Sequence, residues 1–139
     1  MRALIDTNVF LDVFLTREPH YRDSSHVVSA AESQTFEAYC CATTITDIYY
    51  IVQKVTSESI ARRAIAGILR TCELAPVGRS TVTAALNSEV ADVEDGILCE
   101  VALLVDASCI VTRNIADFAN SQIKAVTPSD FLLLLDQEV

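Results

Sequence analysis

The spacing of apolar residues changes along the chain, and the changes mark the elements. Ala3-Leu-Ile5 is a short apolar run ending in Asp6-Thr7-Asn8. Val9, Phe10, Val13 and Phe14 then recur at helical spacing, so a strand feeds directly into a helix. Beyond the break at Glu18-Pro19, Val27, Val28, Ala30 and Ala31 predict a second helix, and residues 36–42 read as a second strand. Ile45, Ile48, Ile51, Val52 and Val55 form a helical stripe with Thr44 placed to cap it. The segment from Ser57 to Arg70 predicts an amphipathic helix with Ile60, Ala64, Ile65, Ile68 and Leu69 inward. Leu74 to Val77 reads as a brief extended piece, and Ser80 to Leu86 as a short helix. Asp92-Val-Glu-Asp95 opens a longer apolar helix, Cys109 to Val111 is a buried strand, and Thr112 to Phe118 is a turn leading into a short helical piece. Ala125-Val126 is a last strand, after which Thr127 and Pro128 start a terminal helix. Strand and helix alternate throughout, the pattern of a parallel sheet covered on both faces.

Length fits one compact domain over residues 1–139. Although 51% of residues are hydrophobic, the apolar runs break well short of the roughly 18 residues of a membrane span. With no export signal at the start, the expectation is a cytoplasmic protein without membrane association. Five cysteines without C-x-x-C spacing fit reduced core thiols. His20 and His26 lack the further Cys or His that zinc requires. The net charge of −9, with Lys54 and Lys124 the only lysines, means that any phosphate binding is local and falls to arginines or to bound metal.

The candidate chemistry lies in the acids. Asp6 follows the first strand, Asp47 the second, Asp117 the strand at 109–111, and Asp95 sits in the first turn of its helix. Ligands of open parallel sheets bind beyond the carboxyl ends of the strands, where three of these four are expected. Each acid alone reads more readily as a helix cap than as a ligand, and Thr44-x-x-Asp47 and Asp92-x-x-Asp95 both look like capping boxes. Carboxylates gathered in one cleft repel by roughly 4 kcal/mol per pair at about 4 Å and an effective dielectric near 20, which a cation relieves. An all-oxygen set suits Mg²⁺ or Mn²⁺.

Four segments, Leu4-Ile-Asp-Thr-Asn-Val-Phe-Leu-Asp12, Thr44-Ile-Thr-Asp-Ile-Tyr-Tyr-Ile51, Asp92-Val-Glu-Asp-Gly-Ile97 and Thr112-Arg-Asn-Ile-Ala-Asp-Phe118, resemble the PIN domain in order and spacing. The likeness extends to Thr127-Pro-Ser-Asp-Phe131. It implies a three-layer α/β/α, Rossmann-like fold with a parallel sheet of about five strands. It also implies a Mg²⁺- or Mn²⁺-dependent ribonuclease, the toxin of a toxin–antitoxin pair of the VapC kind, dimeric and inhibited by a small antitoxin protein.

Carried over by residue, the resemblance makes Asp6, Asp47, Asp95 and Asp117 the metal-binding and catalytic acids. Asp47 stands where many members have Glu, and Asn114 competes with Asp117 for the fourth place. Asn8 and Thr112 match positions that orient the carboxylates, and Asp92 supports them. Arg113 is a candidate RNA contact, as are Arg17 and Arg22, while Arg62, Arg63 and Arg70 face water or a partner. The apolar surface around the second and fourth helices is a candidate for a second copy or an antitoxin peptide. Removing Asp6 or Asp95 is expected to abolish cleavage and leave the fold intact or stabler. Two other readings compete: a phosphoacceptor receiver domain, disfavoured by the single acid after the first strand and by the place of Lys124, and a PIN-like module that binds RNA or protein without cutting.

Overall fold

A computed structural model describes residues 1–138. The elements run β1 (Arg2–Ile5), α1 (Thr7–Phe14), α2 (Tyr21–Glu32), β2 (Glu37–Cys41), α3 (Ala42–Val55), α4 (Glu58–Thr71), β3 (Glu73–Ala75), α5 (Arg79–Leu86), α6 (Val93–Leu104) and β4 (Cys109–Val111). A 3-10 turn (Ile115–Phe118), β5 (Ala125–Val126) and α7 (Pro128–Gln137) follow. All pairings are parallel, in the order β3-β2-β1-β4-β5.

Alternation along β1 decides the layers, since successive side chains leave a strand on opposite faces. Ala3 and Ile5 join Val9, Phe10, Val27, Ile48, Ile68 and Phe131 in one core. Leu4 joins Cys41, Leu98, Val101, Ile110 and Phe118 in the other. Both faces of the sheet are covered, so this is the expected three-layer α/β/α fold with five parallel strands. Burial on both faces also explains why β4 is uninterrupted Cys-Ile-Val. The order reverses around β1, with β2 on one side and β4 on the other. The crevice of the sheet therefore opens beyond the carboxyl ends of β1 and β4.

Two expectations about helices change. The third helix begins at Ala42, straight out of β2, so Thr44 lies inside it and caps nothing. Its buried hydroxyl instead accepts a hydrogen bond from Thr7 Oγ1 at 3.1 Å, tying the start of α1 to the start of α3. In α4, capped by Ser57, the buried stripe is Ala61, Ala64 and Ile68, while Ile60 and Leu69 are exposed. Small residues on the inner stripe bring α4 close to its neighbours and push its large residues to the flank. The five cysteines are buried and free. No helix among the described residues is long and apolar enough to cross a membrane.

Candidate functional site

Asp6 sits where β1 becomes α1. It is the N-cap of α1, and its Oδ1 accepts from the Thr7 amide at 2.7 Å. Oδ2 accepts from Thr112 Oγ1 at 2.8 Å and from Asn8 Nδ2 at 3.0 Å. The directions of these bonds are fixed by their neighbours. Thr112 Oγ1 already accepts from Asn8 Nδ2 (3.1 Å) and from the Asn114 amide (3.0 Å), so its only proton points at Asp6. Asn8 Oδ1 accepts from the Arg113 amide at 3.1 Å, which turns both Nδ2 protons toward Thr112 and Asp6. A carboxylate has about four acceptor sites. Three are filled here, which leaves Asp6 one lone pair for a further ligand although the residue is only 6% exposed.

Opposite Asp6 stands the first turn of α6. Asp92 is its N-cap, accepting from the Asp95 amide at 3.0 Å. Only this half of the expected capping box forms, and the Asp95 carboxylate makes no hydrogen bond to the described residues, so cap chemistry explains Asp92 and not Asp95. Asp92→Ala is therefore expected to cost about 1 kcal/mol of stability. Asp95→Ala should leave the melting temperature unchanged or raise it, a pair of results readable by thermal denaturation. Gly96 supports this placement, because a Cβ there would meet Ala85 Cβ and Ser88 Oγ at 3.3 Å; glycine lets α6 lie against α5.

Burial pushes the Asp95 carboxyl up to about 6, helped by the charges of Asp92, Asp6 and Asp117. Burial likewise raises Asp6, against the hydrogen bonds from Thr112, Thr7 and Asn8, and the charge of Asp117 adds to the rise. The charges of Asp6 and Asp117 thus reach Asp95, and that of Asp117 reaches Asp6. Asp117, on the exposed 3-10 turn, shares with Asp92, Asp95 and Asn120 the wall of a cleft of about 180 Å³. Asn114 is exposed and contributes its backbone amide to Thr112.

Asp47 is half-buried on α3 and meets a residue absent from the sequence reading, Glu94. The hydrogen bond to Asp47, with burial and the charges of Asp47, Asp92 and Asp95, raises Glu94 to about 7. The only signal for Glu94 was its place beside Asp95, where it reads as a solvated helix-N-terminal acid. Asp12 was also missed. It is fully buried in α1 and accepts from Arg113 Nε (2.8 Å), Arg113 Nη2 (3.0 Å) and Ser24 Oγ (2.9 Å). Arg113, expected to reach a phosphate, has two of its three guanidinium nitrogens committed to this acid, because a buried carboxylate needs a counter-charge.

Among the described residues, no three His, Cys, Asp or Glu side chains form a ready-made metal cage. The donor set nevertheless fits a hydrated divalent ion of the Mg²⁺ type, which keeps several waters and takes one or two carboxylates directly. Crowding of the acids gives a pH dependence whose sign can be worked out. Glu94 and Asp95 hold their protons more tightly folded than at their ordinary values of 4.5 and 3.8. The folded state then binds more protons than the unfolded one, and stability falls as pH rises. Their contribution is most favourable below about pH 4 and is lost as pH climbs through about 6 and 7. Melting curves in EDTA between these limits should show this decline, Glu94→Gln should flatten its upper part, and Mn²⁺ should reverse it at pH 7.

The chain belongs to the PIN domain family, whose sequence pattern matches residues 2–116. No curated protein matches the sequence. Among solved structures, a chain of a toxin–antitoxin complex from Klebsiella pneumoniae is 24% identical with a TM-score of 0.69, over 91% of this chain and 97% of that one. A chain of VapBC2 from Rickettsia felis, bound to a DNA fragment from their promoter, is 12% identical with a TM-score of 0.71, over 91% and 98%. A chain of FitAB bound to the IR36 DNA fragment is 15% identical with a TM-score of 0.68, over 91% and 94%.

Proposed function

We propose that this protein is a Mg²⁺- or Mn²⁺-dependent endoribonuclease that hydrolyses RNA phosphodiester bonds and acts as the toxin of a toxin–antitoxin pair. The observation that carries the reading is Asp6, a buried carboxylate held in one orientation with one lone pair left over, in a cluster with Asp95 and Asp117 where burial and neighbouring charge raise the carboxyls of Asp6 and Asp95. A structural cap has no use for such crowding, whereas a cation relieves it.

Bound there, the metal would lower the pKa of a water molecule and neutralise charge on the scissile phosphate. Asp6 and Asp95 are the principal ligands in this reading, and Asp117 is the preferred fourth acid because its charge reaches both. Asn8 and Thr112 hold the Asp6 carboxylate in place. The Asp47–Glu94 pair, with Glu94 at about 7, is the group able to exchange a proton at neutral pH.

The toxin assignment is supported by family membership and by the fold shared with chains of toxin–antitoxin complexes. Tyr50, Val55, Ile60 and Leu69 leave apolar surface on α3 and α4 for an antitoxin protein or a second copy in a homodimer. The sequence-based placement on the second helix shifts accordingly, since α2 exposes only Tyr21 among the large apolar residues. Titrating Mn²⁺ or Mg²⁺ against a labelled RNA tests the activity: cleavage that requires metal and is lost in Asp95→Asn is expected. RNA binding without cleavage at any metal concentration would instead favour the non-cutting PIN-like module.

A further inference from the structure

The two outer residues of the motifs, Asp12 and Arg113, do more than pair. Asp12 is a fully buried charge gripped in a bidentate fork by Arg113 and completed by Ser24 Oγ from α2. Bringing α2 back over α1 places Thr16 at φ 50°, a backbone region costly for a β-branched residue. A buried ion pair of this kind adds little net stability over apolar residues of the same volume. Its location suggests what it does instead. Arg113 follows Thr112, and while its side chain is held by Asp12, its amide donates to Asn8 Oδ1. Asn8 and Thr112 are the two side chains that orient Asp6 Oδ2. The chain of contacts Ser24–Asp12–Arg113–Asn8/Thr112–Asp6 is continuous, and every link is 3.1 Å or shorter.

We infer that Asp12, Arg113 and Ser24 form a positioning device that fixes the 112–114 loop against α1 and thereby aims the free lone pair of Asp6 into the acidic cluster. As a statement about metal binding, the inference rests on the proposed function above; as a statement about the orientation of Asn8 and Asp6, it does not. Arg113 is accordingly a positioning residue whose fork geometry matters as much as its charge. Lysine, a point charge, cannot reproduce the fork.

The test compares Arg113→Lys and the double variant Asp12→Leu/Arg113→Met with the parent. Three quantities are read: melting temperature, the side-chain amide resonances of Asn8 in ¹H–¹⁵N spectra, and Mn²⁺ affinity. In the double variant the melting temperature should stay closer to the parent value than in Arg113→Lys, because no charge is left buried and only the Ser24 hydroxyl loses its acceptor. Its Asn8 resonances should still move toward those of a free amide, and Mn²⁺ affinity should fall about 10-fold or more, as for groups that orient a metal ligand. Arg113→Lys should show the same two losses, and it decides the matter if the double variant does not fold. Folded variants that keep the parent's Asn8 resonances would overturn the inference. Asn8 resonances that move while the parent binds no Mn²⁺ would leave the positioning device standing and remove the metal reading.

Discussion

Asp95→Asn is expected to give a folded protein, at pH 7 as stable as the parent or more so, in which the proposed metal-dependent cleavage of RNA is lost. The stability half follows from what the side chain lacks. Asp92 caps α6, and the Asp95 carboxylate accepts no hydrogen bond from the described residues, while burial and the charges of Asp92, Asp6 and Asp117 raise it to about 6. Neutralising it removes repulsion and breaks nothing. The activity half follows from its position opposite Asp6. Residues that only orient a metal ligand cost about 10–100-fold when removed, so loss of a ligand should exceed that range. Cleavage rates and melting curves on the same preparation check both halves. Full activity in a stable Asp95→Asn protein would sink the proposed site.

Asp6→Asn is expected to behave differently, and the hydrogen bonds around Asp6 replace the sequence-based expectation of an intact or stabler fold with that of a weaker one. Asp6 Oδ2 sits between two donors, Thr112 Oγ1 and Asn8 Nδ2, whose protons are directed by their other partners. An asparagine that keeps its oxygen on the Thr7 amide turns its NH₂ toward both of them. Leaving these buried groups unpaired costs on the order of 1–3 kcal/mol. Asp6→Asn thus loses activity and stability together, which makes Asp95 the cleaner position for a test.

The second large effect lies away from the acids. Phe131→Ala should destabilise the protein by about 3–5 kcal/mol, the usual cost of emptying an aromatic site in a core. Phe131 is fully buried and packs edge-on against Phe36 with ring centroids 4.8 Å apart, which docks α7 beside the start of β2. For a chain of this length the melting temperature should fall by about 10 °C or more. Urea unfolding with an unchanged m-value would confirm that the loss is one of stability. A drop within experimental error would mean that α7 is peripheral to the core.

The order of strands and helices was legible because each element carries a local signal. Apolar runs such as Ala3-Leu-Ile5 and Cys109-Ile-Val111 reflect burial on both faces, and Ser57 and Thr127 cap helices with hydroxyls that accept from backbone amides three residues on. Asp6 was legible as an acid at the sheet's carboxyl edge, and Asp95 as an acid in the first turn of its helix. Thr44 misled because capping propensity is local, whereas the direct passage from β2 into α3 and the pairing with Thr7 are tertiary facts.

What the sequence by itself determined is therefore the set of elements, the parallel α/β class and which acids follow which strands, since these depend on residues near each other along the chain. The tertiary structure alone decided how those acids are used. It made Asp92 the cap and left Asp95 open, joined Glu94 to Asp47, and set Arg113 on Asp12 across 101 positions of sequence. Burial and through-space charge govern these outcomes, and neither has a period or a spacing that a sequence can display.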